Sequence, residues 1–547
     1  MVTSSGKRSV RTILVVSDLH LTSGIDRRTD RWSPTEDFFW DEEFRDFLEY
    51  YADRSRCTLV INGDWFDFLQ VLIFPTEGEI QRFGIAGTDI DRVYGLRCSE
   101  PASMFQMSKM LEGHPVLFDA LGEFLAGGNE IKIIKGNHDV ELFWPGVQQL
   151  LRDDLLRRAR RSRKRVSPNQ VEFLPWIYYV PGLLYVEHGN QYERTCAFRN
   201  FLLPKLPFPY SGGGEHLELD LSGLLVRYLT NRIEPVFPLA DNVRPLTDVY
   251  VMLWKNHPWL AARTIGKALR FVLKAFGKAR ALQEKPARQR YREIAKENDR
   301  LIGEQAKHFL RGKPGAVSHL ARALHELYHR APTPIFELGA GKFLMGIIGA
   351  SLRRVVWLIP LYALTLIPGV SQWAVDQVDS LGIAWLSYAV DALEKFNLFQ
   401  IFLLALAVIL VLTVRHLISR RRERKPDDAI LPDTGTAMRA YARHIADTLD
   451  VRFVTFGHTH STDILRLDDE RKYFNTGTWM TTLSDDDPLV RGVREFTFLR
   501  VSDERADLVH WDPERMEPRP VIVVEAEQPV TDVEDSLLKV FLAAIKR

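Results

Sequence analysis

The chain predicts an α/β layered domain, and three features of the sequence predict it. Five short runs rich in β-branched and aliphatic residues each end in a polar, metal-capable motif: 12–20 (TILVVSDLH), 58–64 (TLVINGD), 131–139 (IKIIKGNHD), 183–190 (LLYVEHGN) and 451–460 (VRFVTFGHTH). A sixth run, 472–479 (KYFNTGTW), has the same character. Amphipathic stretches such as 41–52 and 115–126 fall between the runs and predict helices. Buried strands alternating with helices imply packed layers, with ligands gathering beyond the carboxyl ends of the strands. The five polar motifs can therefore meet in one place although they are far apart in sequence.

At 547 residues the chain exceeds one ordinary domain and suits a catalytic domain carrying one large insertion. With 46% hydrophobic and 26% charged residues it can bury a sizeable core and is not a disordered chain. A net charge of +1 provides no global field for nucleic acid, and no wide basic groove with interleaved aromatics is evident, so no nucleic-acid partner is expected. Cys57, Cys98 and Cys196 lack any paired ligand spacing, which argues against a disulfide framework and fits a reducing compartment. The apolar run from Ile13 to Val16 is too short for the core of a signal peptide.

The strand pattern is interrupted over roughly 201–445. Within it, 263–280 reads as a two-faced helix, with Ile265, Leu269, Val272, Leu273 and Phe276 on one side and Lys267, Arg270, Lys274 and Lys278 on the other. Such a helix lies on an anionic membrane surface or packs on its own domain. Further on, 355–370 and 398–414 are nearly charge-free runs of 16 and 17 residues, close to the roughly 20 residues that cross a bilayer. Arg353 and Arg354 precede the first, and Arg415, Arg420, Arg421, Arg422, Arg424 and Lys425 follow the second, while the connection is acidic. By the positive-inside bias this predicts a transmembrane helical hairpin rather than a buried or interfacial one. The expected protein is then a multi-pass membrane protein whose catalytic domain is cytoplasmic and whose partner is the bilayer. The expected divisions are 1–200 and 426–525 for the two parts of the catalytic domain, 201–343 for a helical insertion, 344–425 for the hairpin and 526–547 for a terminal helix.

Hydrolysis of a phosphate ester at neutral pH needs a strong nucleophile and neutralisation of phosphoryl charge, both of which a pair of metal ions supplies. Such a site takes a bridging carboxylate with imidazole and hard oxygen ligands, a set that suits Mn, Fe or Zn better than Ca. Asp18, His20, Asp64, Asn137, His188, His458 and His460 make up that inventory, each at the end of a strand-like run. The alternation in Asp18-Leu19-His20 and His458-Thr459-His460 predicts pairs of side chains on one face of an extended segment.

The ordered series D-x-H, G-D, G-N-H-D, H-G and G-H-x-H resembles the signature of the calcineurin-like metallophosphoesterase family over about 11–200 and 450–510. The resemblance implies a sandwich of two β-sheets flanked by helices and two divalent metal ions, Mn first and Fe or Zn as options. It places Asp18, His20 and His460 on one metal, Asn137, His188 and His458 on the other, and Asp64 between them. His138 then resembles the family's non-ligand histidine, which contacts the phosphate and protonates the leaving oxygen, and Asp139 becomes a carboxylate that orients His138 or a ligand. Asp67 reads equally as a supporting carboxylate or as a solvated or helix-capping residue, and Asn475 and Trp479 as structural.

GDWFDF and GNHD depart from the GDxVDRG and GNHE of phosphoprotein phosphatases and look more like bacterial enzymes related to UDP-diacylglucosamine pyrophosphohydrolase. Those enzymes usually carry Arg at the position of His138 and lack a hairpin, so their specific activity does not transfer. The expected substrate is a phosphomono-, phosphodi- or pyrophosphate ester, with a lipid or nucleotide-lipid favoured by the hairpin. The alternatives are soluble nucleotides, or an inactive scaffold or sensor on the same fold. The remaining histidines, His325 and His329 of HELYH among them, read as incidental, and 157–165 (RRARRSRKR) as a solvated charge run.

Overall fold

Val, Ile and Leu fill the runs that the sequence marks as buried, and these runs form strands that stop just before their polar residues. The computed structural model describes residues 11–207, 214–235, 285–310, 314–338, 434–483 and 492–521, with scattered positions over 264–277. In chain order the first strands are β1 (Thr12–Val16), β2 (Ile25–Asp26), β3 (Arg31–Trp32), β4 (Cys57–Asn62), β5 (Glu130–Ile134), β6 (Val171–Leu174), β7 (Ile177–Val180) and β8 (Leu184–Glu187). They are followed by β9 (Phe453–Phe456), β10 (Thr462–Arg466), β11 (Lys472–Thr476), β12 (Thr481–Leu483), β13 (Gly492–Arg494), β14 (Thr497–Ser502), β15 (Arg505–Asp512) and β16 (Glu517–Pro520).

The strands build two mixed sheets, ordered β16-β15-β14-β1-β4-β5-β6 and β10-β11-β9-β8-β7, beside the small pairs β2-β3 and β12-β13. Strands β1, β4, β5 and β6 run parallel, as do β8, β9 and β11, and antiparallel strands complete each sheet. Side-chain alternation assigns the faces. Ile13, Val15 and Val60 of the larger sheet share a core with Leu184, Val186, Phe453 and Phe474 of the smaller one. Leu14, Val16, Leu59 and Ile61 point the other way, into a core shared with Phe44, Phe47, Leu121 and Leu125. Strands β8 and β9 are parallel neighbours, Leu184 opposite Phe453, so the chain that leaves at 188 returns beside its own exit. That pairing brings the fourth and fifth motifs together.

Helix Asp41–Ala52 begins with Asp41, Glu42 and Glu43, which favour its positive N-terminal end, and buries Phe44, Phe47, Leu48 and Tyr51. Helix Pro115–Ala126 starts on a proline that needs no amide partner in the first turn. The charge run 157–165 is not a solvated loop throughout. Its first part closes helix Pro145–Arg160, and Arg158 is buried, held by Asp154, Asp119 and the carbonyls of Leu111 and Pro115.

The part of the chain read as a helical insertion contains a helical hairpin, Lys285–Phe309 and Pro314–Arg330, whose Ile302, Leu324 and Leu327 join the main core. In the basic amphipathic stretch Val272 and Phe276 are buried, and Phe271 stacks on Tyr228 with ring centroids 3.9 Å apart. The described part of that stretch therefore packs on its own domain. The chain divides into two units, 1–334 with 433–547 and 335–432, and of the second only 335–338 are described.

The expected transmembrane hairpin requires correction. Among the described residues no helix is long and apolar enough to cross a membrane. The longest, Lys285–Phe309, has 25 residues but is rich in Lys, Arg and Glu. The runs 355–370 and 398–414, on which the expectation was built, lie outside the described residues. The multi-pass membrane assignment, with its cytoplasmic orientation, is therefore withdrawn.

Candidate metal centre

The parallel strands β1, β4 and β5 end side by side, and each hands its polar motif to a tight loop. Asp18 N–H donates to the Gly63 carbonyl (3.2 Å), and the amides of Leu19 and His20 both donate to the Asp64 carbonyl (3.0 Å each). The expected extended geometry of Asp18-Leu19-His20 and His458-Thr459-His460 is not what forms. Asp18, His20, Asp64, His458 and His460 all have left-handed backbones, with φ of 55°, 50°, 48°, 71° and 57°. Each such conformation costs on the order of 1 kcal/mol for a residue with a Cβ. Concentrated at one spot, that strain is maintained by the loop hydrogen bonds and serves to aim side chains inward.

Two glycines permit this crowding. A Cβ on Gly136 would fall 2.1 Å from Asp64 Oδ1, and one on Gly457 would fall 2.5 Å from Asp18 Oδ2. The glycines of GNHD and GHTH are thus required by close approach. The loop after β11 completes the frame: Thr478 Oγ1 donates to the Asp18 carbonyl at 2.7 Å, Asn475 Nδ2 to the Gly457 carbonyl at 2.8 Å, and Trp479 Nε1 to the Thr497 carbonyl at 2.9 Å.

Six of the seven expected ligands converge in two groups, and the seventh, Asn137, sits between Gly136 and His138, both of which lie against Asp64. Asp18, His20 and His460 form the first. His460 Nε2 lies 3.3 Å from Asp18 Oδ1 and 3.2 Å from His20 Nε2. Asp64, His188 and His458 form the second, with donor atoms all within 4.8 Å of one another. Asp64 lies between the groups, since its Oδ2 is 3.0 Å from His188 Nε2 and 3.8 Å from His20 Nε2.

The donor set fits cations. His188 Nδ1 is 2.9 Å from the Asn62 carbonyl, which fixes a proton on Nδ1 and turns Nε2 toward Asp64, free to give a lone pair once a cation takes the proton's place. That Nε2 is buried, meets Asp64 without the geometry of a hydrogen bond, and has no other partner, and Asn137 Oδ1 is buried and unpartnered too. Unpaired acceptors facing a carboxylate are costly unless positive charge sits among them. The acid–base balance states the same demand: burial works against protonating His188, yet the Asp64 carboxylate beside it raises the imidazole to about 9. For Asp64 burial acts upward, but His188 and His138 hold its carboxyl well below the usual range.

His138 and Asp139 take different roles. His138 N–H donates to Asp64 Oδ1 (2.8 Å), while its ring Nδ1 sits 2.6 Å from Asp67 Oδ2. Its ring is 16% exposed, against 1% for His188, so its Nε2 is the imidazole edge most open to a ligand. Asp139 touches no imidazole. Its carboxylate accepts from the amides of Gly136 and Trp65, tying the Asn137 loop to the Asp64 loop. Asp139 is a positioning residue rather than a reacting one.

Two residues were undervalued by sequence reasoning. Asp67 is fully buried, which decides against a solvated residue, and it fills both other roles: Oδ2 pairs with His138 while Oδ1 accepts from the Gln70 amide and caps the short helix Phe68–Gln70. The spacing from Asp64 to Asp67 was visible, but which histidine it served depended on the fold. Glu193 was missed altogether. Its Oε2 lies 3.1 Å from His458 Nε2, and Thr195 and Thr434 donate to the same carboxylate. Burial acts upward on this carboxyl, but the hydrogen bond to His458 brings it down to about 2. Glu193 stands five residues after His188 in HGNQYE, and only the β8–β9 pairing connects it to His458.

The fold and cleft define an α/β protein of two mixed sheets with a paired histidine–carboxylate centre at the strand ends. No family model matches the chain, and no curated protein matches it.

Proposed function

We propose that the chain is a metal-dependent phosphoesterase that works with two divalent cations, Mn in the first instance, with Fe or Zn as alternatives. The observation that carries this reading is the convergence of Asp18, His20 and His460 with Asp64, His188 and His458 around buried, unpaired acceptor atoms. Asp18, His20 and His460 would hold one ion; Asn137, His188 and His458 the other; Asp64 would serve both. When bound, such a pair acidifies water and neutralises the charge of a phosphoryl group.

The chain's own groups supply the remainder. Glu193 fixes the His458 ring and Asn62 the His188 ring, so neither ligand needs to reorganise when a cation arrives. Asp67 holds His138 by Nδ1 and leaves Nε2 to carry a proton toward the leaving oxygen of an ester. Burial lowers His138, but Asp67 and Asp64 beside it outweigh that effect and raise it well above its ordinary value.

The substrate class is a phosphate mono- or diester or a pyrophosphate. A preference for lipid rested on the hairpin and lapses with it. The test is hydrolysis of bis(p-nitrophenyl) phosphate by the full chain with Mn²⁺, beside Asp64→Ala. Turnover that needs added Mn²⁺ and disappears in the variant supports the proposal. Absence of turnover with Mn²⁺, Fe²⁺ and Zn²⁺ alike, on mono- and diester probes, would sink it.

A further inference from the structure

A second cluster with metal-ligand chemistry lies away from the cleft, on the helical hairpin 285–330. His325 and His329 are four apart on helix Pro314–Arg330 and share one face, their ring centroids 4.3 Å apart. Asp299, on helix Lys285–Phe309, places Oδ1 3.0 Å from His329 Nε2. One donor atom from each of the three residues lies within 4.8 Å of the other two.

The scaffold beneath them is fixed. Asn298 and Tyr328, the chain neighbours of Asp299 and His329, are buried and bonded to each other, Tyr328 Oη to Asn298 Oδ1 at 3.1 Å. The amides of Phe201 and Leu202 donate to Tyr328 Oη and Asn298 Oδ1 at 2.7 and 3.1 Å. On the inner face Leu324, Leu327 and Ile302 pack into the main core. The spacing between the backbones at 299 and 329 is thus set by buried contacts, while the three ligating side chains stand exposed at the surface.

We propose that His325, His329 and Asp299 bind a zinc-class transition-metal ion at the surface, bridging the two helices. Two imidazole nitrogens and one carboxylate oxygen suit Zn²⁺, Ni²⁺ or Cu²⁺, not the all-oxygen demand of Mg²⁺ or Ca²⁺. Ligands about 2.0–2.1 Å from a tetrahedral ion stand roughly 3.3 Å from one another, near the 3.0 Å of the Asp299–His329 pair. His325 closes the remaining gap by rotation of an exposed side chain, and water completes the sphere. The simple competing account is a hydrogen bond between His329 and Asp299 with no ion. The string His325-Glu326-Leu327-Tyr328-His329 has the H-E-x-x-H order of zinc metalloproteases, but the three proposed ligands stand exposed and Glu326 lies 3.6 Å from His444 on the same surface, so no hydrolysis is assigned to this site.

The test is equilibrium dialysis of the full chain against Zn²⁺, counting bound equivalents for wild type, His325→Ala/His329→Ala and Asp299→Asn. The double variant is expected to lose one equivalent of zinc and keep its other metals, with an unchanged melting temperature in chelator. Asp299→Asn is expected to weaken that same equivalent. An unchanged zinc count and affinity in the double variant, or wild-type binding that appears only at millimolar zinc, overturns the proposal. Because the readout is the zinc count and not ester hydrolysis, its failure leaves the cleft's function untouched, and the reverse holds too.

Discussion

Two buried assemblies of histidine and carboxylate lie in the same domain, and they differ in whether their lone pairs are taken up by protein atoms. In the first, His114 sits between Asp41 and Glu36, with Nδ1 3.0 Å from Asp41 Oδ1 and Nε2 3.3 Å from Glu36 Oε2. Glu36 also accepts from the amides of Thr22 (3.1 Å), Gly24 (2.7 Å) and Phe38 (3.2 Å). Both ring nitrogens donate, so the imidazolium is the matching form and the assembly is complete. In the candidate metal cleft Asn137 Oδ1 is left without a partner, His188 Nε2 meets only Asp64 Oδ2, without the geometry of a hydrogen bond, and five of the residues are held in left-handed conformations. Closure marks a structural device, and an open set of aimed acceptors marks a binding one.

Substitution separates the two most sharply. Asp64→Asn is expected to lower turnover of the diester roughly 10³-fold or more, by analogy with the loss of a central catalytic group. The metal-free variant loses the charge pairing with His188 but keeps an acceptor for the His138 amide, so its urea midpoint should fall less than that of His114→Leu. His114→Leu is expected to do the opposite. Removing the cation between two buried carboxylates costs about 3–5 kcal/mol, read from the urea midpoint, while the molecules that remain folded keep their metal content. If the two variants behaved alike in both assays, the distinction between closed and open assemblies would fail.

A smaller effect is expected at Glu193. Truncation to Ala frees the His458 ring to rotate and to change tautomer, which typically lowers metal affinity about 10–100-fold. Titration of metal content in the full chain reads this directly. One of the two cations should weaken while the site of Asp18, His20 and His460 is retained. Equal weakening of both ions would mean that Glu193 acts on the fold of the cleft rather than on one ligand.

The cleft was legible in the sequence because ligand chemistry and strand ends are both local properties. TILVV followed by SDLH announces a strand and its metal-capable loop in nine residues. Backbone conformation was not legible in the same way. An alternating pair reads as one face of a strand, and the left-handed turn at Asp18 and His20 appears only once the Asp64 carbonyl takes both following amides. Partners brought by long-range pairing were invisible as well. Glu193 reaches His458 across 265 positions, and His114 reaches Asp41 across 73. The apolar runs at 355–370 and 398–414 raised the expectation of a hairpin from hydropathy alone; they lie outside the described residues, among which no helix is long and apolar enough to cross a membrane.

The pH dependence of stability gives the mildest test of the comparison, since it perturbs the closed assembly without removing an atom. Burial alone would lower the His114 pKa, but the Glu36 charge and the bonds to Asp41 and Glu36 raise it from 6.5 to about 10. A base raised on folding stabilises fully below its unfolded value and loses that contribution as pH rises through the folded one. For Glu36, burial acts upward and the His114 charge outweighs it, so its contribution is present above 4.5 and falls away as pH drops through its lowered value. The pair is therefore worth most near pH 4.5–6.5, and stability should decline between pH 6.5 and 10 with a slope approaching about 1.4 kcal/mol per pH unit. Buried acids add a decline of their own at lower pH: burial pushes Glu141 from 4.5 to about 8 and Asp220 from 3.8 to about 7, so each lowers stability as pH rises between those values, and Glu141 overlaps the start of the His114 window. The measurement is thus a difference, urea unfolding of wild type against His114→Gln in chelator at half-unit steps. A slope that persists unchanged in the variant would assign the pH response to those acids and leave His114 without its proposed charge.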